Sequence, residues 1–99
     1  MGNKLSPQEL DLYRRVDEVL HYRWDPCGVS DAPQARDEYY GYLPEIFSLL
    51  QGGADAKIIA STLAKIERER MGMPGEMKSL LAIAETLVEW RALLLGARA

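Results

Sequence analysis

Residues 33–50 read PQARDEYYGYLPEIFSLL, and the fold turns on how they are taken. The apolar positions Ala35, Tyr39, Tyr42, Ile46 and Leu49 recur alternately four and three apart, the spacing of one helix face. No two-residue alternation competes for a strand. The spacing predicts a second helix beginning near Pro33. Pro44 interrupts it. Proline brings no amide hydrogen to the Tyr40 carbonyl and its ring crowds that carbonyl, so a kink or a break is expected between Gly41 and Pro44. Gly52-Gly53 closes the segment.

Working outward, three more helical segments follow. Upstream, Ser6-Pro7-Gln8-Glu9 supplies a capping serine, a proline at the first helical position and a glutamate placed to complete a capping box, with Leu5 and Leu10 at the staple positions. Leu12, Tyr13, Val16, Val19 and Leu20 carry that helix to about Tyr22 or Arg23. Between it and Pro33 lies Trp24-Asp25-Pro26-Cys27-Gly28. Asp at i, Pro at i+1 and Gly at i+3 is a type I turn, and Asp25 is suited to accept a backbone amide two residues on. Downstream, Asp55 caps a third helix with the stripe Ile59, Leu63 and Ile66, ended by Gly72. A fourth is predicted from about Pro74 to Leu95. Its apolar residues, from Leu80 through Leu87 and Trp90 to Leu95, cover about half the circumference, which suits a central helix or one that shares a flank with a second chain. The expected fold is all-α: a compact bundle of four main helices in a single domain, residues 1–99, with the second helix kinked near Pro44.

Composition permits little else. The chain has 99 residues, 47% hydrophobic and 27% charged, with a net charge of −3. No run approaches the roughly 18 apolar residues of a membrane span, so no membrane role is expected. The N-terminus lacks the apolar stretch of a signal peptide. Cys27 stands alone and has no internal disulfide partner, which suits a reducing cytoplasm. Met1-Gly2-Asn3-Lys4-Leu5-Ser6 matches an N-myristoylation pattern. The helix cap already accounts for the serine.

The charge is segregated. Asp25, Asp31, Asp37, Glu38 and Glu45 face one base, Arg36, so this stretch is −4, and the rest of the chain is +1. Six of the eight aromatics fall in nearly the same place: Tyr22, Trp24, Tyr39, Tyr40, Tyr42 and Phe47. Two readings of this stretch stand side by side. In the first, Asp37 and Glu38 satisfy the start of a helix dipole, and Arg36 pairs with Asp25 or Asp31. In the second, Asp31, Asp37, Glu38, Tyr40 and Glu45 form an acidic, aromatic surface that binds a basic protein. Trp24, Asp25, Pro26 and Gly28 are read as a structural turn, with the Trp24 ring on the core and its N–H bonded outward.

No catalytic constellation appears, and no enzyme is expected. Asp37 and Glu38 point about 100° apart on a helix. Glu38 and Glu45, seven apart, are put out of register by Pro44. His21 has no second histidine or cysteine at metal spacing, and is read as a dipole partner at the end of the first helix. Cys27 lacks a C-x-x-C partner. Gly52-Gly53 lacks the lysine of a phosphate loop. No metal or cofactor is expected. The third and fourth helices faintly suggest a helix-turn-helix, but the fourth is too apolar and the sequence pI of about 5.1 too low for a nucleic-acid reader.

Trp24-Asp25-Pro26-x-Gly28-Val29, followed by Ala35-Arg36-Asp37-Glu38-Tyr39 with Tyr42, Pro44 and Ile46, then Ile66-Glu67 and Met71-Gly72, resembles a family of small bacterial helical proteins. The resemblance runs from about Leu12 to Met73 and leaves out the last helix. The family implies no established activity. Some similar proteins are encoded near secreted toxins, so the resemblance implies an immunity or antitoxin-like protein that occludes a basic toxin. The alternatives are a homodimer through the last helix at Leu87, Trp90 and Leu94, and a small-ligand domain lined by Trp24, Glu38 and Tyr40.

Overall fold

The computed structural model describes residues 4–96, and the Met1-Gly2-Asn3 start of the lipidation pattern lies outside them. The chain is an all-α bundle. Helix α1 spans Pro7–Val19, α2 Leu43–Gln51, α3 Ala56–Arg70 and α4 Met77–Leu95. Among the described residues there is no strand. Neighbours pack in the ring α1, α2, α3, α4 and back to α1, and α4 also meets α2. The last helix is therefore central, lying most extensively along α3 and α1. Its Leu80, Ala84 and Leu87 join Leu12, Val16, Leu43, Ile46, Leu50, Ile59 and Leu63 in one core. Arg91 fixes it to α2 by donating from Nε to the Leu50 carbonyl, 2.9 Å away, at the end of the shorter helix.

The α1 start forms as its sequence suggests. The Glu9 amide donates to Ser6 Oγ at 3.1 Å, and the Ser6 amide donates to Glu9 Oε1 at 2.9 Å. Such a box contributes on the order of 1 kcal/mol. The Ser6 amide is the main influence holding the Glu9 carboxyl below the usual carboxylate range. Gln51 also donates to Glu9, tying the end of α2 to the start of α1. At α3, Asp55 accepts the Ile58 amide as the capping residue.

Three departures from the sequence reading matter. First, the helix ends at Trp24, close to the expected Tyr22 or Arg23, but its α winding stops at Val19. It widens into a π turn over Leu20–Trp24, closed by the Asp25 amide donating to the Leu20 carbonyl at 3.0 Å. The wider turn carries both His21 and Trp24 inward. His21 stands in this last turn, 2% exposed and edge-on to Tyr22.

Second, no α-helix begins at Pro33. Pro33–Ala35 is one 3-10 turn, and residues 36–42 continue as linked turns. Their backbone bonds run three residues back: Glu38 to Ala35, Tyr40 to Asp37, Tyr42 to Tyr39, and Leu43 to Tyr40. The interruption expected near Pro44 is a helix start. Pro44 occupies the first turn of α2, where a missing amide hydrogen costs nothing, and the Tyr40 carbonyl is satisfied by Leu43.

Third, α4 begins at Met77 rather than Pro74. Gly75 is buried at φ +64°, with the link packed on the α3 backbone. The residues expected at a homodimer seam, Leu87, Trp90 and Leu94, are buried or part-buried within the single chain. Leu87 is fully buried, and Trp90 is half-buried beneath the Arg15 guanidinium, 5.6 Å from its ring centre. Leu93, 73% exposed, is the large apolar side chain that α4 leaves in solvent.

Candidate functional site

The loop between α1 and α2 is built around Asp25. This residue ends the π turn in the left-handed region at φ 36°, a conformation aspartate tolerates better than most residues. The type I turn forms, with the Gly28 amide donating to the Asp25 carbonyl at 3.1 Å and Gly28 itself at φ +67°. The Asp25 carboxylate reaches further than expected. It accepts the amides of Val29 at 2.8 Å and Ser30 at 3.1 Å, four and five residues on.

Tyr39 completes this knot. Its ring is buried against Trp24, with centres 5.3 Å apart, and its hydroxyl donates to Asp25 Oδ1 at 2.7 Å. The same hydroxyl accepts the Cys27 amide at 2.9 Å. Burial alone would raise the Asp25 pKa, but the bonds from Tyr39, Val29 and Ser30 together outweigh it and hold the carboxyl below its ordinary value. Burial and the neighbouring carboxylate push the Tyr39 phenol upward, so it remains a neutral donor.

Two more tethers hold the loop. Arg36 grips Asp17 of α1 through paired bonds of 3.0 and 2.9 Å, and its guanidinium lies 5.4 Å from the Tyr22 ring centre. The hydrogen bond to Asp17 raises the Arg36 pKa above its usual value. The partner is thus neither Asp25, which Tyr39 and two amides occupy, nor Asp31. Trp24 is the second tether. Its Nε1–H donates 2.8 Å to Glu67 Oε2 on α3, inward across the core rather than outward.

Sequence reasoning missed Asp17, Glu67 and the Tyr39 hydroxyl as partners. Glu67 had a signal: it continues the buried register of Ala60, Leu63 and Ala64, where an acid needs a donor. Asp17 and the Tyr39 hydroxyl had none, because their partners meet only after the loop folds back over α1.

With these tethers in place, Asp31, Asp37, Glu38 and Tyr40 are all exposed. Among the described residues their side chains make no hydrogen bond, and neither ion pair involves them. Tyr40, half exposed, opens on a depression shared with Leu10, Tyr13, Arg14, Asp17 and Leu43. Glu45 is exposed too, but lines a different depression with Lys65 and Arg70 of α3. It stands apart from Tyr40, in a depression where Glu69 also lies beside the two cations.

Trp24 and Glu38 do not line the Tyr40 depression, so the three residues of a small-ligand pocket do not converge. Among the described residues no group of three His, Cys, Asp or Glu side chains is gathered to hold a metal. Cys27 is exposed in the turn. No described helix is long and apolar enough to cross a membrane. No protein-family model matches this chain, and neither a curated protein nor a solved structure matches it.

Proposed function

We propose that the chain is a non-enzymatic protein-binding module, an immunity or antitoxin-like cytoplasmic protein that covers a basic partner with the acidic face of its α1–α2 loop. One observation carries this reading. Asp31, Asp37, Glu38 and Tyr40 are exposed and make no side-chain bond among the described residues, while their loop neighbours Asp25, Arg36 and Tyr39 are all engaged. The competing explanation, that Asp37 and Glu38 satisfy a helix N-terminus, loses its footing because residues 36–42 are turns with no helix dipole.

The loop is also pre-ordered. Asp25, Tyr39 and Arg36 pin it, so docking would order few further groups. Unneutralised carboxylates steer a basic partner, and a half-exposed tyrosine supplies stiff contact area. The mechanism is steric occlusion, with Asp31, Asp37, Glu38 and Tyr40 as contacts and Glu45 at the margin.

Affinity capture from the native host, with Asp37→Lys/Glu38→Lys beside the wild type, tests the reading. A basic protein retained by the wild type and lost by the double variant supports it. Equal capture by both removes this surface.

A further inference from the structure

A second surface of opposite sign lies on α3. Lys57, Ser61 and Lys65 follow one another at four-residue spacing, so they share a helix face. With Ile58 and Thr62 they line a shallow depression of about 390 Å³ that contains no acid. Ile58 is 48% exposed, an unusual place for an isoleucine, and the Thr62 hydroxyl beside it is turned to the Ile58 carbonyl. Arg68 follows Lys65 by three residues on the same face, whereas Arg70 lies 5.9 Å from the Tyr42 ring centre and, with Lys65, lines the neighbouring depression that holds Glu45 and Glu69. Among the described residues none of these four cations is in a salt bridge.

This surface is the electrostatic counterpart of the loop. The loop displays Asp31, Asp37 and Glu38 beside a Tyr40 that is 50% exposed, and the α3 face displays Lys57 and Lys65 beside an Ile58 that is 48% exposed. Within one molecule they open on different elements: the Tyr40 depression is lined by α1, the loop and the start of α2, and the Ile58 depression by α3 alone. We infer that the lysine-flanked Ile58 face of α3 is a docking surface for the acidic α1–α2 loop of a second copy of this chain. The occupant is argued from charge complementarity. The inference rests on the loop being a docking surface, as in the proposed function, and adds a second copy as an occupant.

Because the two surfaces differ, the contact is head-to-tail, leaving one free surface of each kind at the ends of the assembly. Each patch is small, so the association is weak and reversible, at the low end of specific interfaces. Attraction between exposed charges makes it fall with salt.

Sedimentation equilibrium tests this with the intact chain at up to about 1 mM, where millimolar affinities register. Wild type is expected to exceed monomer mass at ~20 mM salt and return toward it at ~0.5 M, where charges are screened. Asp37→Lys/Glu38→Lys alone and Lys57→Glu/Lys65→Glu alone are expected to stay monomeric. Their equimolar mixture regains association, because each reversed surface again meets its opposite. All four positions are exposed, and unchanged melting curves confirm folding.

A monomeric wild type at low salt, a mixture that stays monomeric, or single variants that associate like wild type would each overturn the inference. Lys57→Glu/Lys65→Glu leaves the acidic loop intact. Capture of a foreign basic partner by that variant therefore separates failure of self-docking from failure of the proposed function.

Discussion

Residues 25–42 join α1 to α2, and residues 71–76 join α3 to α4. Both stretches contain proline and glycine at the head of a helical pattern, and both resist becoming helix. They are held by different forces. The long loop is tied by polar side chains: Tyr39 to Asp25, Asp25 to two amides, and Arg36 to Asp17. The short link is held through its backbone: the Met73 amide donates to the Glu67 carbonyl at 2.9 Å, and Gly75 lies close against α3. A Cβ added to Gly75 would lie 2.8 Å from the Ala64 carbonyl oxygen and 3.2 Å from the Ala64 Cα. Close approach leaves no room for a side chain at Gly75 itself, and Met71 packs on the core. A loop pinned at a few points by polar bonds leaves its other residues facing water, and there the acidic surface appears.

The sharpest test of that contrast is Gly75→Ala. It adds a positive-φ penalty to a collision with backbone, and α3 cannot move away without disturbing its packing on α4. We expect a loss of about 2–4 kcal/mol, read by urea unfolding. A near-neutral result would mean that the link yields and that close approach does not hold it.

Tyr39→Phe is the matching test of the polar loop. It removes the donor to Asp25 and the acceptor for the Cys27 amide while keeping the buried ring, and should cost about 1–3 kcal/mol. Its pH dependence has a definite sign. The Asp25 pKa is lowered in the folded state, so its contribution is present above the ordinary carboxylate value and is lost as pH falls through the folded value. The gap between wild type and Tyr39→Phe should therefore shrink in acid unfolding below about pH 4. A gap that is constant with pH would place the effect in packing rather than in the hydrogen bond.

The same contrast explains which parts of the fold were legible. Helix starts written in neighbouring residues were readable: Ser6 with Glu9, and Asp55. So was the central position of α4, because a half-apolar circumference needs several neighbours. The segment before Pro44 was misread because spacings of three and four serve 3-10 turns as well as an α-helix, and Tyr39 points inward in either. What separates the two is Tyr39 meeting Asp25, fourteen residues away, and Arg36 meeting Asp17, nineteen away. Periodicity carries no record of such contacts. For the candidate site, the residue set was visible as charge, but its division was not. Glu45 opens toward α3 because α2 begins at Leu43 and turns it away from Tyr40.

Gly28→Ala gives a smaller effect and compares the two connections at a single backbone feature. Gly28 has nearly the same φ as Gly75, +67° against +64°, but nothing lies within 4 Å of an added Cβ. Only the conformational penalty applies, about 1 kcal/mol. The difference between the two Gly→Ala variants, measured by thermal melting, isolates the cost of close approach. Equal losses would show that φ alone governs both links.

The smallest effect is expected from Asp37→Lys/Glu38→Lys. Neither carboxylate makes a hydrogen bond or an ion pair among the described residues, and residues 36–42 offer no helix dipole to lose. Stability should stay within about 0.5 kcal/mol of wild type in denaturant unfolding. This near-zero value discriminates as much as the large ones do. If the reversal costs more than about 1 kcal/mol, these acids are engaged inside the molecule, beyond the usual range for surface substitutions. The loop would then be closed on itself with nothing to offer. If stability holds while capture of a basic partner is lost, the loop divides into pinned residues that shape it and free residues that bind, and the acidic charge is maintained for something outside the fold.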